Sequence, residues 1–277
     1  MASEEDIDDK KMPLLDHLIE LRNRLMWSVG AILIAFMVCY YFSADIYNFL
    51  TKPLAAALEG KEGRRMIFTD LTEAFFTYIK VAFWAAACLA FPIIASQIWM
   101  FVAPGLYRNE RRAFLPFLFA TPVLFVVGGA LVYYLIFPLA WRFFLSFEQP
   151  GGPGDLPIQL EAKVNEYLSL VMALIFAFGL AFQLPVLLTL LARVGILSAA
   201  QLARGRRYAI VGIFVFAAVV TPPDVISQVG LAIPMILLYE ISIIAAKLAE
   251  RQRRKQEEEE DEDEAPTTAP PAGGGSA

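Results

Sequence analysis

The sequence has few of the residues that most enzymes use for catalysis or metal binding. It contains one histidine and two cysteines in 277 residues. A zinc site needs several cysteine or histidine ligands, and a Ser-His-Asp triad needs a histidine beside a serine and an acid. No Gly-x-x-x-x-Gly-Lys-Ser/Thr phosphate-binding loop is present. The sequence therefore predicts a protein that is not an enzyme and that holds no metal or cofactor.

Charged residues are also scarce, and apolar residues are in excess. The chain is 18% charged and 58% hydrophobic, whereas a soluble domain averages about 25% and about 45–50%. The apolar residues lie in long runs, which is typical of an integral membrane protein. The net charge of −5 comes from acidic clusters near both ends. Cys39 and Cys88 each lie inside an apolar run, where we expect them to pack as small apolar side chains.

The apolar runs predict six transmembrane helices in an all-α integral membrane protein. They cover residues 26–42, 74–99, 114–138, 167–191, 208–220 and 225–248. Prolines inside several spans remove backbone hydrogen bonds and favour kinks, so we expect a kinked, concave bundle. Residues 1–11 and 249–277 are polar or charged, and we expect both to be disordered around a membrane domain of residues 12–248.

Lysine and arginine are distributed unevenly between the two ends of these spans. Most lie in residues 10–24, 108–112, 193–207 and 247–255, which fall on one side of a six-span protein. Cytoplasmic loops are the ones enriched in these residues. We therefore predict that both termini are cytoplasmic.

The last two predicted spans are short. Residues 208–220 and the apolar part of the last span, residues 225–239, would extend about 20 and about 22 Å, against a hydrocarbon core of about 30 Å. We therefore expect a thinned bilayer at this hairpin, unless a partner helix covers it.

One stretch before the first span combines an apolar stripe with charged residues. In His17-Leu-Ile-Glu-Leu-Arg-Asn-Arg24 the leucines follow helical spacing. Glu20 precedes Arg24 by four residues, the favourable order for an ion pair on a helix. One interpretation is an amphipathic helix at the membrane surface with an internal ion pair. The other is a binding surface whose carboxylate meets a cationic partner.

Three further segments are distinctive. They are Phe101-Val-Ala-Pro-Gly-Leu-Tyr-Arg-Asn-Glu110-Arg-Arg, Phe178-Gly-Leu-Ala-Phe-Gln183-Leu-Pro-Val, and Thr221-Pro-Pro-Asp224-Val followed by Leu231-Ala-Ile-Pro. Together with residues 17–24 they lie in order along the chain and in register with the predicted spans. In this arrangement the sequence resembles the TatC family, the multispanning core of the twin-arginine protein translocase.

The resemblance implies a binding site for the two consecutive arginines of a signal peptide. Glu20 and Glu110 match the family's glutamates for this site, and His17 and Phe101 lie in the same two segments. A carboxylate can accept a guanidinium through two hydrogen bonds, which a lysine cannot reproduce. Two arginines therefore match two carboxylates. The alternative is local charge compensation, because arginines flank both glutamates.

The resemblance also implies contacts with the single helices of partner subunits. They would involve Gln183, and Thr221, Asp224 and Gln228 at the hairpin between the last two spans. The family often has glutamate where this chain has Gln183, so only a hydrogen-bonding role is expected there. The alternatives are a hydrogen bond from Gln183 to a neighbouring helix of the same chain, and a turn in which Asp224 caps the sixth helix.

The resemblance thus predicts a receptor and core subunit of the twin-arginine translocase in the bacterial cytoplasmic membrane. The implied partners are twin-arginine signal peptides of folded cargo, TatA- and TatB-type single-span subunits, membrane lipid and further copies of the chain, with no nucleic acid. The alternative is a secondary transporter of a small solute. Such transporters often carry internal repeats and ionisable groups at midplane, and neither is evident in this sequence.

Overall fold

The structure is a computed structural model, and it describes residues 5–59, 65–106, 111–149, 151–152, 155–193, 195–221 and 225–264. In these ranges the chain folds into nine α-helices and one short π-helix, so the all-α class predicted from the sequence is confirmed. The helices are α1 Glu5–Tyr41, α2 Ser43–Ala57, α3 Glu73–Leu106, α4 Arg111–Leu131, the π-helix Val132–Ile136, α5 Phe137–Leu145, α6 Val164–Ala181, α7 Leu184–Arg193, α8 Ala199–Val220 and α9 Val225–Glu264.

Five apolar helical segments in the described ranges are long enough to cross a membrane. They are His17–Tyr41, Glu73–Phe101, Phe117–Leu145, Val164–Arg193 and Gln228–Gln252. Large apolar side chains point outward along them, and Trp27, Ile34 and Met37 are 72%, 71% and 71% exposed. An apolar surface of this extent is stable in lipid and unfavourable in water. The chain is therefore a multi-pass integral membrane protein.

The hairpin of α8 and α9 differs from the sequence prediction in one span. α9 is not short, because its apolar segment Gln228–Gln252 has 25 residues. As predicted, α9 continues past Glu240, whose carboxylate is paired with Arg206 of α8 at 2.8 Å. Arginines occupy the first half of α8, and only its part from Tyr208 is apolar. A sixth crossing by α8 stays a prediction.

The helices also extend further at both ends than the sequence predicts. α1 is one continuous helix from Glu5, in place of a disordered start, a surface helix and a separate span from residue 26. α9 continues past residue 248 to Glu264, because the Arg, Lys, Gln and Glu residues there are strong helix formers. Residues 265–277 lie outside the described part.

Small residues bring α1 and α3 close together. Ala35 and Cys39 of α1 are buried against Ala82, Ala86 and Ala90 of α3. Small side chains let two backbones approach, which is how membrane helices gain contact where lipid supplies no hydrophobic driving force. This packing sets the position of the amino-terminal part of α1 against the carboxyl-terminal part of α3.

The main core lies between α2, the π-helix, α5, α6, α8 and α9. Phe137, Phe178 and Leu231 are among its fully buried side chains. α4 and α6 touch at Gly179, where a Cβ would lie 2.5 Å from a ring carbon of Phe125. Only glycine permits this contact without displacing the ring. The fourth predicted span is therefore packed closely against the third.

Polar contacts tie α8 and α9 together near the start of α8. Ser198 and Gln201 form a capping box at the start of α8. The backbone N–H of Ala199 also donates to Glu250 of α9 at 2.6 Å. The Tyr239 hydroxyl donates to the carbonyl of Leu202 at 2.9 Å. The two helices are therefore tied by more than apolar packing at this end.

Candidate functional site

The structure brings two of the predicted signal-peptide residues into contact. His17 of α1 stacks on Phe101 of α3, with ring centroids 4.3 Å apart and ring planes 22° from parallel. These residues are far apart in sequence and meet because α1 and α3 pack along their length. An aromatic contact of this kind holds the beginning of the first apolar segment against the end of the second.

An open groove of about 670 Å³ lies beside this contact. It is lined by Ile19, Glu20, Asn23, Arg24 and Trp27 of α1 and by Gln97 and Met100 of α3. Glu20 and Arg24 are its charged side chains, and the other residues offer amide groups or apolar surface. A groove with this lining can hold an extended cationic segment that also carries apolar side chains.

Glu20 is already paired within α1. The Nε and Nη2 atoms of Arg24 both donate to Oε1 of Glu20, at 2.9 and 2.5 Å. The side chains of Glu20 and Arg24 are 37% and 22% exposed, so the ion pair lies on the groove wall in partial contact with solvent. Arg22 instead donates to the side-chain oxygen of Asn23 at 3.2 Å. The internal ion pair expected from the spacing of Glu20 and Arg24 is thus present.

Glu110, the second predicted carboxylate, lies outside the described residues. The expectation that two glutamates face one another across a single site therefore stays a prediction. The neighbouring segments are described on both sides, since α3 ends at Leu106 and α4 begins at Arg111.

Gln183 lies where the fourth predicted span is broken into α6 and α7. Its side-chain amide donates to the carbonyl of Thr121 in α4 at 3.0 Å and to the carbonyl of Gly179 at 3.3 Å. The expected hydrogen bond to a neighbouring helix of the same chain is therefore present. The Oε1 atom is buried and has no hydrogen-bond partner among the described residues. Pro185 contributes to the break, because it cannot donate to the carbonyl of Ala181.

The predicted residues of the hairpin between α8 and α9 differ in their surroundings. Thr221 is buried, and its hydroxyl donates to the carbonyl of Ala217 within α8 at 2.9 Å, so this hydroxyl is used inside the chain. Gln228 of α9 donates to the carbonyl of Phe214 in α8 at 3.3 Å. Asp224 lies outside the described residues. The described polar groups of this hairpin therefore bind its own two helices.

The groove also includes four residues that the sequence alone does not place there, Asn23, Trp27, Gln97 and Met100. Gln97 carried a usable signal, since a polar side chain inside an apolar segment usually has a structural or functional partner. Trp27 and Met100 carried no such signal, because an apolar residue in a span can face either lipid or a groove. Only the packing of α3 on α1 distinguishes these possibilities.

Comparison with known proteins identifies the family. A model of the family described as Sec-independent protein translocase protein (TatC) matches residues 16–234. A protein of that name from Magnetococcus marinus is 53% identical over 88% of this chain and 87% of its own length. The Escherichia coli K12 protein of the same name is 43% identical over 83% of this chain and 86% of its own length.

A solved structure has the same fold. The crystal structure named Twin Arginine Translocase Receptor TatC superimposes with a TM-score of 0.71 and 38% sequence identity. The match covers 84% of this chain and 99% of the solved chain. The identity and the coverage are both high enough to establish a common family as well as a common fold. The chain belongs to the TatC family of Sec-independent protein translocase proteins.

Proposed function

We propose that this chain is the receptor and core subunit of a twin-arginine translocase. It binds the twin-arginine signal peptides of folded cargo proteins at its cytoplasmic face and recruits TatA- and TatB-type single-span subunits for export. Membership of the family supports this function, and one of its solved members is named as the translocase receptor. The same membership disfavours a small-solute transporter.

The observation that carries the proposal is the position of Glu20 in the groove between α1 and α3. The carboxylate is partly exposed, at 37%, and lies in a groove of about 670 Å³ with apolar walls. Removal of bulk water strengthens a guanidinium–carboxylate contact, and such charge-assisted hydrogen bonds contribute about 1.5–3 kcal/mol. We propose that Glu20 binds one arginine of the peptide and that Glu110 binds the other, with His17 and Phe101 forming the adjoining wall.

The proposed partner surface centres on Gln183. Its Oε1 atom is buried without a hydrogen-bond partner in the described part of the chain. A donor that reaches this atom would form a favourable hydrogen bond, because an unpaired buried acceptor is costly. A polar side chain on the single helix of a partner subunit would be a suitable donor within the membrane. Gln228 and Asp224 are proposed to extend this surface along the outer hairpin, with Thr221 contributing backbone and methyl groups.

We also propose that the protein lies in the bacterial cytoplasmic membrane with both termini in the cytoplasm. The Lys- and Arg-rich segments support this orientation, and the groove at Glu20 lies on the same side as these segments. Homo-oligomerisation within the complex remains part of the proposal. In this orientation the groove faces the compartment in which cargo proteins fold.

The first test measures binding of a fluorescent twin-arginine peptide to the purified protein in detergent. We expect Glu20→Ala and Glu110→Ala each to weaken binding about tenfold or more, the effect of losing a charge-assisted contact of about 1.5–3 kcal/mol. Glu20→Asp should be intermediate, because its shorter side chain misplaces the bidentate contact. A peptide with both arginines replaced by lysine should bind the unmodified protein weakly.

Glu166→Gln is the matched control. Glu166 is an exposed carboxylate beside Lys163 at the far end of the molecule, so its removal makes the same charge change away from the groove. We expect it to leave peptide affinity unchanged. Wild-type affinity in both alanine variants, with unaltered thermal unfolding, would contradict the assignment of the peptide site.

A further inference from the structure

The guanidinium of Arg24 lies in the groove and is paired with the Glu20 carboxylate, which is the group proposed to bind the signal peptide. Two N–H groups of Arg24 converge on Oε1 of Glu20 from one helical turn away. A peptide guanidinium that binds Glu20 through two hydrogen bonds needs the same oxygen. The two contacts therefore exclude one another at this atom.

We infer that Arg24 is an internal competitor of the signal peptide, and that it leaves Glu20 when a peptide arginine binds. The inference rests on the proposed function, since it takes Glu20 as the peptide site. It adds a residue that sets the affinity of that site without contacting the bound arginine. Arg24 thus pairs with Glu20 only while the groove is empty, and it is not one of the residues that bind the peptide.

The exposure of the pair is suited to such an exchange. A fully buried ion pair would be costly to break, because each separated charge would remain desolvated. A fully exposed pair contributes little, so its loss would hardly oppose binding. Arg24 and Glu20 are 22% and 37% exposed, between these limits. The long arginine side chain can turn toward solvent while its aliphatic part stays on the groove wall.

Arg22, the other arginine near the groove, does not share the contact that Arg24 makes with Glu20 in the described structure. It is two residues from both Glu20 and Arg24, so it lies on another face of α1. Its guanidinium contacts Asn23 at 3.2 and 3.4 Å, and no contact with Glu20 is described. The two arginines carry the same charge close to the groove, but only Arg24 occupies the carboxylate.

An internal competitor has two consequences for recognition. It keeps the Glu20 carboxylate paired while the groove is empty, which avoids the free-energy cost of an unpaired and partly desolvated charge. It also weakens every cationic ligand by the same factor, because each ligand must displace the same contact. Peptides with only one arginine bind more weakly from the start. The same loss of affinity therefore abolishes their binding while twin-arginine peptides still bind.

The test compares Arg24→Gln with Arg22→Gln, which makes the same charge change without touching Glu20. Binding is measured with an Arg-Arg peptide and with a Lys-Arg peptide. We expect Arg24→Gln to tighten both peptides by the same factor, about two- to tenfold, as suits a partly exposed ion pair with charge-assisted hydrogen bonds. Arg22→Gln should give a smaller change, from the general loss of positive charge. Arg24→Lys should lie between wild type and Arg24→Gln.

The double variant Glu20→Gln/Arg24→Gln separates competition from other effects. If Arg24 acts through Glu20, removing Arg24 in the Glu20→Gln background changes affinity no more than Arg22→Gln does, because only the general loss of positive charge remains. An unchanged or weakened affinity in Arg24→Gln, or a gain no larger than in Arg22→Gln, overturns the inference while Glu20 can still be the peptide site. Wild-type affinity in Glu20→Gln alone shows instead that the proposed peptide site is wrong, and the inference with it. Thermal unfolding of each variant confirms that the compared proteins are folded.

Discussion

At the scale of single residues, the two halves of the Gln183 amide differ in their contacts. Its amide N–H groups bind carbonyls of Thr121 and Gly179, which joins α6 to α4 across the break in the fourth predicted span. Its oxygen has no hydrogen-bond partner among the described residues. The donor half of the amide therefore joins parts of the chain, whereas the acceptor half is left without a partner in the described part of the chain.

This division predicts different effects for two substitutions of Gln183. Gln183→Glu, when protonated, keeps one donor for Thr121 and one acceptor, so crosslinking to the single-span partners and transport should persist. Gln183→Leu removes both, and we expect a stability loss of about 1 kcal/mol together with reduced crosslinking and transport. The measurements are thermal unfolding in detergent and site-specific crosslinking in membranes.

The control for Gln183 is Thr121→Val, which leaves the Thr121 backbone carbonyl in place and removes the hydroxyl that accepts from Trp99. It should lower stability without changing crosslinking per folded molecule. If Gln183→Leu behaves in the same way, its role is confined to the fold.

At the scale of elements, two tyrosine hydroxyls bind backbone carbonyls of α2, and one of them replaces a missing backbone hydrogen bond. Pro53 lies inside α2 and cannot donate to the carbonyl of Phe49. The Tyr133 hydroxyl donates to that carbonyl at 2.8 Å, and the rings of Tyr133 and Phe49 stack with centroids 4.4 Å apart. Tyr167 donates to the next carbonyl, that of Leu50, at 2.9 Å. The short helix α2 is thus tied to the π-helix and to α6.

A double-mutant cycle tests this replacement. Tyr133→Phe leaves the Phe49 carbonyl without its partner and should lower the free energy of unfolding by about 1–3 kcal/mol. Pro53→Ala supplies a backbone N–H that can bind the same carbonyl. We therefore expect Tyr133→Phe to cost clearly less in the Pro53→Ala background.

Tyr167→Phe provides the comparison for this cycle, because Pro53 does not affect the Leu50 carbonyl. Its cost should be the same with or without Pro53→Ala. Equal costs for Tyr133→Phe in both backgrounds, measured by thermal or denaturant unfolding, would show that the two groups act independently.

At the scale of the whole molecule, the structure combines a peripheral helix with a well-packed core. The outward face of α1 carries many exposed apolar side chains, whereas α6 and α9 contribute most of their inward faces to the main core. The Glu20 groove lies at the α1–α3 side, and the α8–α9 hairpin lies at the other side of the core. The proposed sites for the peptide and for the partner subunits are therefore carried by different elements.

Labelling of single cysteines tests the proposed orientation and the sixth crossing. In a variant without Cys39 and Cys88, we introduce cysteine at Leu156, Ile196 or Val225, which are 88%, 61% and 73% exposed. With six crossings and cytoplasmic termini, a membrane-impermeant maleimide should label Leu156→Cys and Val225→Cys in cells with a permeable outer membrane. Ile196→Cys should be labelled only after the inner membrane is opened.

The three positions report on different parts of the topology. Labelling of Ile196→Cys in intact inner membranes would contradict cytoplasmic termini. Protection of Val225→Cys, with Leu156→Cys labelled, would show that α8 does not cross the membrane.

The sequence by itself determined the membrane class, the approximate helices and the family. These depend on apolar runs, on charged residues at their ends and on motifs such as residues 17–24, all of which are local along the chain. It also predicted the Glu20–Arg24 ion pair, because residues four apart on a helix are neighbours whatever the surrounding fold. The extents of α1 and α9 were wrong, since a polar or charged segment can be disordered or can continue a helix, and composition does not distinguish the two.

Only the tertiary structure decided which distant residues meet. The stacking of His17 on Phe101, and the groove that adds Gln97 and Met100 to Glu20, depend on the close packing of α1 on α3. The contact of the Gln183 amide N–H with the Thr121 carbonyl, and the lack of a partner for its oxygen in the described part of the chain, depend on where the break between α6 and α7 falls against α4. Such contacts follow from how the helices pack around small residues and prolines, and no spacing within a single segment encodes them.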